Sequence, residues 1–167
     1  VFGLTACGGA VASDDETIPG SPVSLTLETV TEGLELPWSM AFLPTGEMLV
    51  TEREGRLRIV RDGTLDPNPV SGTPEAYVAN QGGYLGLALD PSFETNRLIY
   101  LAYSKGDDDA NHTSVIRGRI AEDGSSLTGV ETIFEAEAIK ARGVHFGGRL
   151  VFLPDGSLLV TLGDAFM

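Results

Sequence analysis

The segment WSMAFLPTGEMLVT, Trp38–Thr51, decides the fold, because its pattern returns twice later in the chain. Each copy is a short apolar strand, a turn that contains proline, and a second apolar strand. The later copies are LGLALDP with LIYLAY, within residues 85–103, and GRLVFLPDGSLLVT, residues 148–161. Pro44, Pro91 and Pro154 are therefore 47 and 63 residues apart. The shorter spacing is near the period of β-propeller blades, and the longer one leaves room for an inserted loop.

Further alternating segments surround the three copies and are typical of strands: Ser24–Val30, Gly55–Val60, Thr113–Ile120 and Gly129–Phe134. Two Asp-Gly pairs, Asp62-Gly63 and Asp123-Gly124, indicate hairpin turns. No helical pattern of similar length competes, since Glu135–Arg142 is long enough for two turns at most. The sequence predicts an all-β β-propeller with about three blades, the third incomplete. A β-sandwich is the alternative, but a sandwich does not require repeats that resemble one another.

The net charge of the chain limits the classes of binding partner. Acidic side chains outnumber basic ones by 24 to 11, which gives a formal net charge of −13 at pH 7. Proteins that bind nucleic acid need clustered positive charge, so we expect no nucleic-acid partner. No apolar run reaches the roughly 18 residues that a membrane-spanning helix requires. We therefore expect membrane contact only through an attached lipid.

The expected lipid site is Cys7, the only cysteine of the chain. Leu4-Thr5-Ala6-Cys7 resembles a bacterial lipobox, in which a signal peptidase cuts before a cysteine that carries lipid. We interpret residues 1–7 as the end of a signal peptide, residues 8–22 as a flexible tether and residues 23–167 as the N-terminal part of the propeller domain. This predicts a protein of the bacterial cell envelope that faces the periplasm, or a secreted one. A chance or buried cysteine is the alternative.

Four segments in order resemble the glucose/sorbosone dehydrogenase family: Leu36–Phe42 with Leu49–Arg53, Gln81–Leu89, His145–Leu150 and Val160–Asp164. The resemblance implies a six-bladed propeller that carries pyrroloquinoline quinone (PQQ). It further implies oxidation of an aldose sugar at its anomeric carbon to the lactone, with electrons passed to a quinone or another acceptor. Calcium is also implied, with its ligands in later blades that this chain does not contain.

The resemblance also assigns roles to three residues. His145 matches the catalytic base, Gln81 matches a residue that contacts the quinone, and Arg149 is placed with the cofactor-binding residues. Histidine suits a base because its proton affinity lies nearest neutral pH. An amide N–H could stabilise charge that develops on a quinone oxygen. Some relatives have an acidic residue directly before this histidine, where the present chain has Val144.

Each of these residues also has a structural interpretation. His145 could be a structural histidine, Gln81 a polar residue at a strand entry, and Arg149 a support for its turn. The neighbouring glycines, at positions 82, 83, 147 and 148, are expected to relieve backbone crowding. We expect His112 on a loop facing solvent and Trp38 buried as a propeller aromatic. The acidic run Asp107–Asp109 is expected to be a solvated hairpin tip rather than a calcium site.

Two other classes of function remain open. A propeller that has no chemistry could bind carbohydrate or protein at the cell surface, since one fold hosts many functions. A metal-dependent propeller hydrolase or lactonase is disfavoured, because these segments contain no acidic ligand set. The 167-residue chain alone is expected to be inactive and to be poorly soluble or oligomeric, because it would expose an unpaired blade edge and an apolar face.

Overall fold

The computed structural model describes residues 26–136 and 142–164, which form three antiparallel β-sheets. The first sheet contains β1 (Pro37–Phe42), β2 (Met48–Glu52), β3 (Arg56–Arg61) and β4 (Thr64–Leu65); the second contains β5 (Tyr84–Leu89), β6 (Leu98–Gly106), β7 (Asn111–Ile120) and β8 (Leu127–Glu135); the third contains β9 (Gly147–Phe152) and β10 (Leu158–Leu162). Strands follow chain order within each sheet. The prediction of an all-β chain is confirmed for the described residues.

The repeated turn has the same hydrogen bonds in the first and third sheets. Between β1 and β2, the Leu43 N–H donates to the Glu47 carbonyl at 2.8 Å, and the Gly46 N–H donates to the Leu43 carbonyl at 2.9 Å. Between β9 and β10, Leu153 donates to Ser157 and Gly156 to Leu153 at the same two distances. The glycine has a positive φ in both turns, +93° and +85°. The sequence repeat is therefore a repeat of backbone geometry.

The longer turn of the second copy contains the only helix among the described residues, α1 (Phe93–Asn96). Asp90 organises this turn, because its carboxylate accepts hydrogen bonds from the Ser92 N–H, the Asn96 amide and the Tyr100 hydroxyl. The turn then returns the chain to β6, which pairs with β5 along its length.

The second sheet lies between the other two, and its strands β5, β6 and β7 are mostly buried, whereas β8 is exposed. Its strand β5 contacts both β1 and β9. The core toward the first sheet includes Leu49, Leu57, Ile59, Tyr84, Leu101 and Ile116. The core toward the third sheet includes Leu85, Ala102, Val115, Phe146 and Leu150. Gly86 permits the second contact, since a Cβ there would lie 2.1 Å from the Gly148 carbonyl oxygen.

The two outer faces of this stack expose apolar side chains. On β1 the exposed side chains are Trp38, Met40 and Phe42, and on the third sheet they are Val151, Leu159 and Leu162. The expectation that Trp38 is buried is wrong for the described structure, where it is 55% exposed. Side chains alternate along β1, so Trp38 points away from the second sheet while Ser39 and Ala41 point toward it.

Two further expectations need correction. The segment Ser24–Val30 forms no strand over its described residues, 26–30, and Leu27 is fully exposed. The first sheet ends at β4, which has only two residues and therefore offers little backbone with which this segment could pair. His112 lies in β7, not on a loop, and its side chain is 19% exposed.

Some expectations concern residues outside the description. The structure does not describe Cys7, the tether 8–22 or most of the segment Glu135–Arg142. Glu135 itself belongs to β8. Within the described ranges no helix has the length and apolar character needed to cross a bilayer.

Candidate active site

Two loops that enter neighbouring sheets form the candidate site. Residues 79–83 lead into β5, and residues 142–146 lead into β9. Because β5 and β9 are the first strands of their sheets and lie in contact, their entry loops meet at the same edge. The His145 N–H donates to Oε1 of Gln81 at 2.9 Å, and the Gln81 N–H donates to the Gly143 carbonyl at 3.0 Å. The structure thus brings together two of the predicted site residues, 64 positions apart in the chain.

His145 is held in an unusual backbone conformation. Its φ of +55° lies in the left-handed region, which non-glycine residues seldom adopt. Thr113 fixes the next peptide, since its buried hydroxyl donates to the Phe146 carbonyl at 2.7 Å. Gly163 approaches from β10, and a Cβ at that position would lie 1.8 Å from the His145 carbonyl oxygen. The conformation of His145 is therefore set by its surroundings.

A carboxylate orients the imidazole. Nδ1 of His145 lies 2.7 Å from Oδ1 of Asp164, which follows β10. An ionised carboxylate can only accept, so Nδ1 is the donor in this contact. This is the arrangement that a general base requires. The His145 side chain is 34% exposed, so that a ligand can reach it.

Asp164 was not predicted as a site residue. In some relatives an acidic residue directly precedes the histidine, and this chain has Val144 at that position. The carboxylate comes instead from 19 residues later, across the β9–β10 hairpin. One signal was present: Asp164 ends the Val160–Asp164 motif, and strands of a hairpin place the residues after β10 beside those before β9.

The orientation of the Gln81 amide follows from its hydrogen bond. Oε1 is used by the His145 N–H, so the Nε2 end of Gln81 is the donor available to a ligand. Gly83 supports this loop where it passes the first sheet, because a Cβ there would lie 1.7 Å from the Arg53 carbonyl oxygen. The expectation of backbone crowding at Gly83 is therefore confirmed.

A cleft of about 340 Å³ lies between β1, β5 and β9 and is lined by Trp38, Ser39, Gly86, Gly147 and Arg149. The Arg149 N–H donates to the Thr161 hydroxyl at 2.9 Å, which ties β9 to β10. Arg149 lines this cleft together with residues of β1. An arginine beside glycine backbone in one cleft suits a carboxylated ligand that approaches the chain closely. The described residues therefore fit one edge of a quinone such as PQQ.

The acidic run Asp107–Asp109 lies in the turn between β6 and β7, as expected of a hairpin tip. Asp107 accepts from the N–H groups of Asp109 and Ala110. Asp108 accepts from the Tyr77 hydroxyl at 2.8 Å, and this hydrogen bond raises the pKa of that phenol above its usual value. Within residues 26–136 and 142–164, no group of three or more His, Cys, Asp or Glu side chains is arranged to hold a metal ion.

Comparison with known proteins identifies the family. The model of the glucose/sorbosone dehydrogenase family matches residues 34–167. The aldose sugar dehydrogenase YliI of Escherichia coli is 40% identical over 146 residues, which are 86% of this chain and 39% of that protein. A glucose dehydrogenase crystal structure is 37% identical with a TM-score of 0.80, covering 84% of this chain and 42% of that one. The PQQ-bound aldose sugar dehydrogenase of Streptomyces coelicolor is 29% identical with a TM-score of 0.72, covering 83% and 41%.

The chain thus belongs to the glucose/sorbosone dehydrogenase family, which confirms the resemblance of its four motifs. It spans about two fifths of the length of these relatives. Its three sheets superimpose on structures of sugar dehydrogenases, and one of those structures contains PQQ.

Proposed function

We propose that this chain is part of a PQQ-dependent dehydrogenase that oxidises an aldose at its anomeric carbon to the lactone and passes electrons to a quinone or another acceptor. The observation that carries the proposal is the constellation of Asp164, His145 and Gln81, in which a carboxylate sets the imidazole tautomer and an amide fixes the backbone beside it. The names of the related sugar dehydrogenases support the substrate class.

His145 would act as the general base. Nε2 takes the proton from the anomeric hydroxyl of the sugar while the C1–O bond becomes a carbonyl and the hydrogen on C1 departs as hydride. Asp164 holds the proton on Nδ1 throughout and stabilises the imidazolium that forms. When bound, PQQ supplies the two-electron acceptor for that hydride. The donor end of Gln81 would stabilise negative charge on an oxygen of the reacting pair.

Arg149 would contribute to holding the cofactor. Arg149 lines the same cleft as Gly147, which lies two residues after His145 in the chain. A guanidinium pairs with a carboxylate through two parallel hydrogen bonds, and PQQ carries carboxylates. We propose that further cationic residues, calcium ligands and the remaining blades of a six-bladed propeller lie in parts of the protein beyond this chain.

The test is turnover by the product of the complete reading frame that encodes this sequence. The protein is loaded with PQQ and Ca²⁺ and assayed with aldoses and an artificial electron acceptor. We expect sugar-dependent reduction that His145→Gln lowers by about 100-fold or more, the usual contribution of a general base. The matched control is His112→Gln, which removes the other histidine of this chain from β7 and should retain activity. Equal activity of the two variants would exclude His145 as the base.

The same preparation tests the binding-only alternative. No saturable change in the PQQ absorption spectrum, together with no turnover on any aldose, would indicate a propeller that only binds carbohydrate or protein. The chemistry of the site favours an enzyme, because a carboxylate on Nδ1 prepares the imidazole for proton transfer.

We also propose that Cys7 is lipidated and anchors the protein to the cell envelope, facing the periplasm. The Leu4–Cys7 motif supports this proposal. Metabolic labelling with radioactive palmitate should mark the protein and not its Cys7→Ala variant. Equal labelling of the two proteins would contradict the proposal.

A further inference from the structure

A second set of hydrogen bonds joins the two site loops, and neither His145 nor the side chain of Gln81 makes it. The Asn80 amide donates from Nδ2 to the Arg142 carbonyl at 3.0 Å. One residue on, the Gln81 N–H donates to Gly143 at the same distance. Two consecutive residues of one loop thus bind two consecutive carbonyls of the other. The hydrogen bond from the His145 N–H to Oε1 of Gln81 lies next to this set.

The backbone of Asn80 is adapted to this contact. Its φ is +53°, in the left-handed region that asparagine tolerates better than most residues. Arg53, just after β2, secures the same residue from the first sheet, because its Nη1 donates to the Asn80 carbonyl at 3.0 Å. Asn80 therefore links the first sheet, through Arg53, to the loop that carries His145.

We propose that Asn80 is a positioning residue of the candidate active site: through Arg142 it sets the distance between the Gln81 amide and the His145 imidazole. The inference rests on the proposed function, since it names a residue that acts on the same site. Asn80 need not contact substrate or cofactor. Its amide fixes where the 142–145 segment begins, and three residues later that segment presents the histidine.

The physical reason is the shortness of the segment. Between the Arg142 carbonyl and His145 lie only Gly143 and Val144, and Gly143 has a φ of +61°. A glycine in such a position gives the chain several accessible conformations. Without the Asn80 contact, fewer constraints would select the one in which the imidazole meets Asp164. Displacement of a catalytic group by about 1 Å can cost about 100-fold in rate.

Two variants separate the contact from the backbone conformation. Asn80→Gly keeps the left-handed φ without strain and removes the amide. Asn80→Asp keeps the size and the turn preference but replaces the donor with a carboxylate oxygen that faces a carbonyl. Asn68→Asp is the control for the added negative charge, because Asn68 is exposed in the segment that follows β4.

The measurements use the product of the complete reading frame, loaded with PQQ and Ca²⁺. In both Asn80 variants we expect kcat to fall about 10- to 100-fold, with KM and Tm near the unaltered values. Asn68→Asp should leave all three unchanged. The change in kcat without KM distinguishes a positioning role from a substrate contact.

A spectroscopic measurement, independent of turnover, decides the role in the unloaded protein. In ¹⁵N-detected spectra of the histidine rings, the His145 signals are assigned by their loss in His145→Gln. We expect Asn80→Gly to shift them and leave those of His112 in place. Unchanged His145 signals overturn the proposal, as does an unchanged kcat or a loss of kcat that only follows a lower Tm. If the unaltered protein oxidises no aldose, the proposed function fails, and the ring signals alone decide the role of Asn80.

Discussion

At the scale of single residues, His145 combines a strained backbone with a well-supported side chain. A left-handed φ at a non-glycine residue costs on the order of 1–3 kcal/mol and persists where the surroundings determine it. Here the Gln81 amide, the Thr113 hydroxyl and the close approach of Gly163 supply that determination. Such strain gathers at functional sites, so it supports the assignment of this loop as the reacting one.

The carboxylate of Asp164 should matter for turnover more than for folding. In Asp164→Asn the amide can either donate to or accept from Nδ1, so the tautomer with an unprotonated Nε2 is no longer selected. We expect kcat to fall about 100-fold or more, with a Tm shift of only a few degrees because Asp164 is largely exposed. Steady-state kinetics and thermal melting check this.

The control is Asp155→Asn, which removes the same charge from the turn between β9 and β10. It should leave kcat unchanged. If both aspartate variants lose activity to the same extent, the loss reflects net charge and not the imidazole.

At the scale of elements, buried hydroxyl groups connect neighbouring sheets by donating to backbone carbonyls of the next sheet. The Thr51 hydroxyl of β2 donates to the Leu85 carbonyl of β5 at 2.8 Å. The Thr113 hydroxyl of β7 makes the corresponding link to Phe146, just before β9. Each link satisfies a carbonyl between two layers, so it fixes how the layers align as well as adding stability.

Removal of the second link should destabilise the fold. Thr113→Val keeps the shape of the side chain but leaves the buried Phe146 carbonyl without this donor, which costs about 1–3 kcal/mol. Urea unfolding measures the difference. Thr128→Val is the matched control in the exposed strand β8, where the change should be below about 0.5 kcal/mol. Equal losses would show that the effect comes from strand propensity.

At the scale of the whole molecule, acid stability depends on a buried ionic cluster on the first sheet. The fully buried Glu52 carboxylate accepts from the Glu35 N–H and from the guanidinium groups of Arg56 and Arg58. Burial acts to raise the pKa of Glu52, but these donors outweigh it, so the pKa lies below its usual value. A depressed carboxyl pKa contributes stability that is present above the unfolded-state value and lost as the pH falls through the folded-state value.

We therefore expect the free energy of unfolding to fall steeply once the pH drops below about 4, the usual range of a carboxyl group. Glu52→Gln should lower stability at pH 7 by about 3–5 kcal/mol, because it removes the charge that two buried or half-buried guanidinium groups share. The variant should then lose less on acidification. Glu131→Gln, in an exposed pair with Arg117, should cost below about 1 kcal/mol. Parallel pH profiles for the unaltered protein and Glu52→Gln would contradict this account.

The exposed apolar side chains on the outer faces of the stack should cause the 167-residue chain to associate with itself. Met40 and Phe42 are about 60% exposed on β1, beside Trp38. Apolar patches of this kind associate in water. The chain should form concentration-dependent oligomers in sedimentation experiments, and Met40→Lys with Phe42→Lys should reduce them. Leu27→Lys is the control, because Leu27 is fully exposed outside any sheet. A monomer at all concentrations would contradict the prediction.

Much of this architecture was predictable from periodicity alone. Alternation and the repeated proline turn located β1–β3 and β5–β10 to within a few residues, because hairpins are local and their turn residues carry the signal. The segment Ser24–Val30 is the exception. It alternates like a strand, but a strand also needs a partner edge, and sequence does not reveal whether one is available.

The sequence by itself determined the all-β class and the family, and it singled out Gln81 and His145 as candidate site residues, since these depend on local pattern and motif order. Only the tertiary structure decided which groups meet them. Asp164 reaches His145 across a hairpin, Asn80 reaches Arg142 between two sheets, and Trp38 faces outward. Those contacts depend on how loops far apart in the chain converge, and that convergence is a property of packed sheets rather than of any one segment.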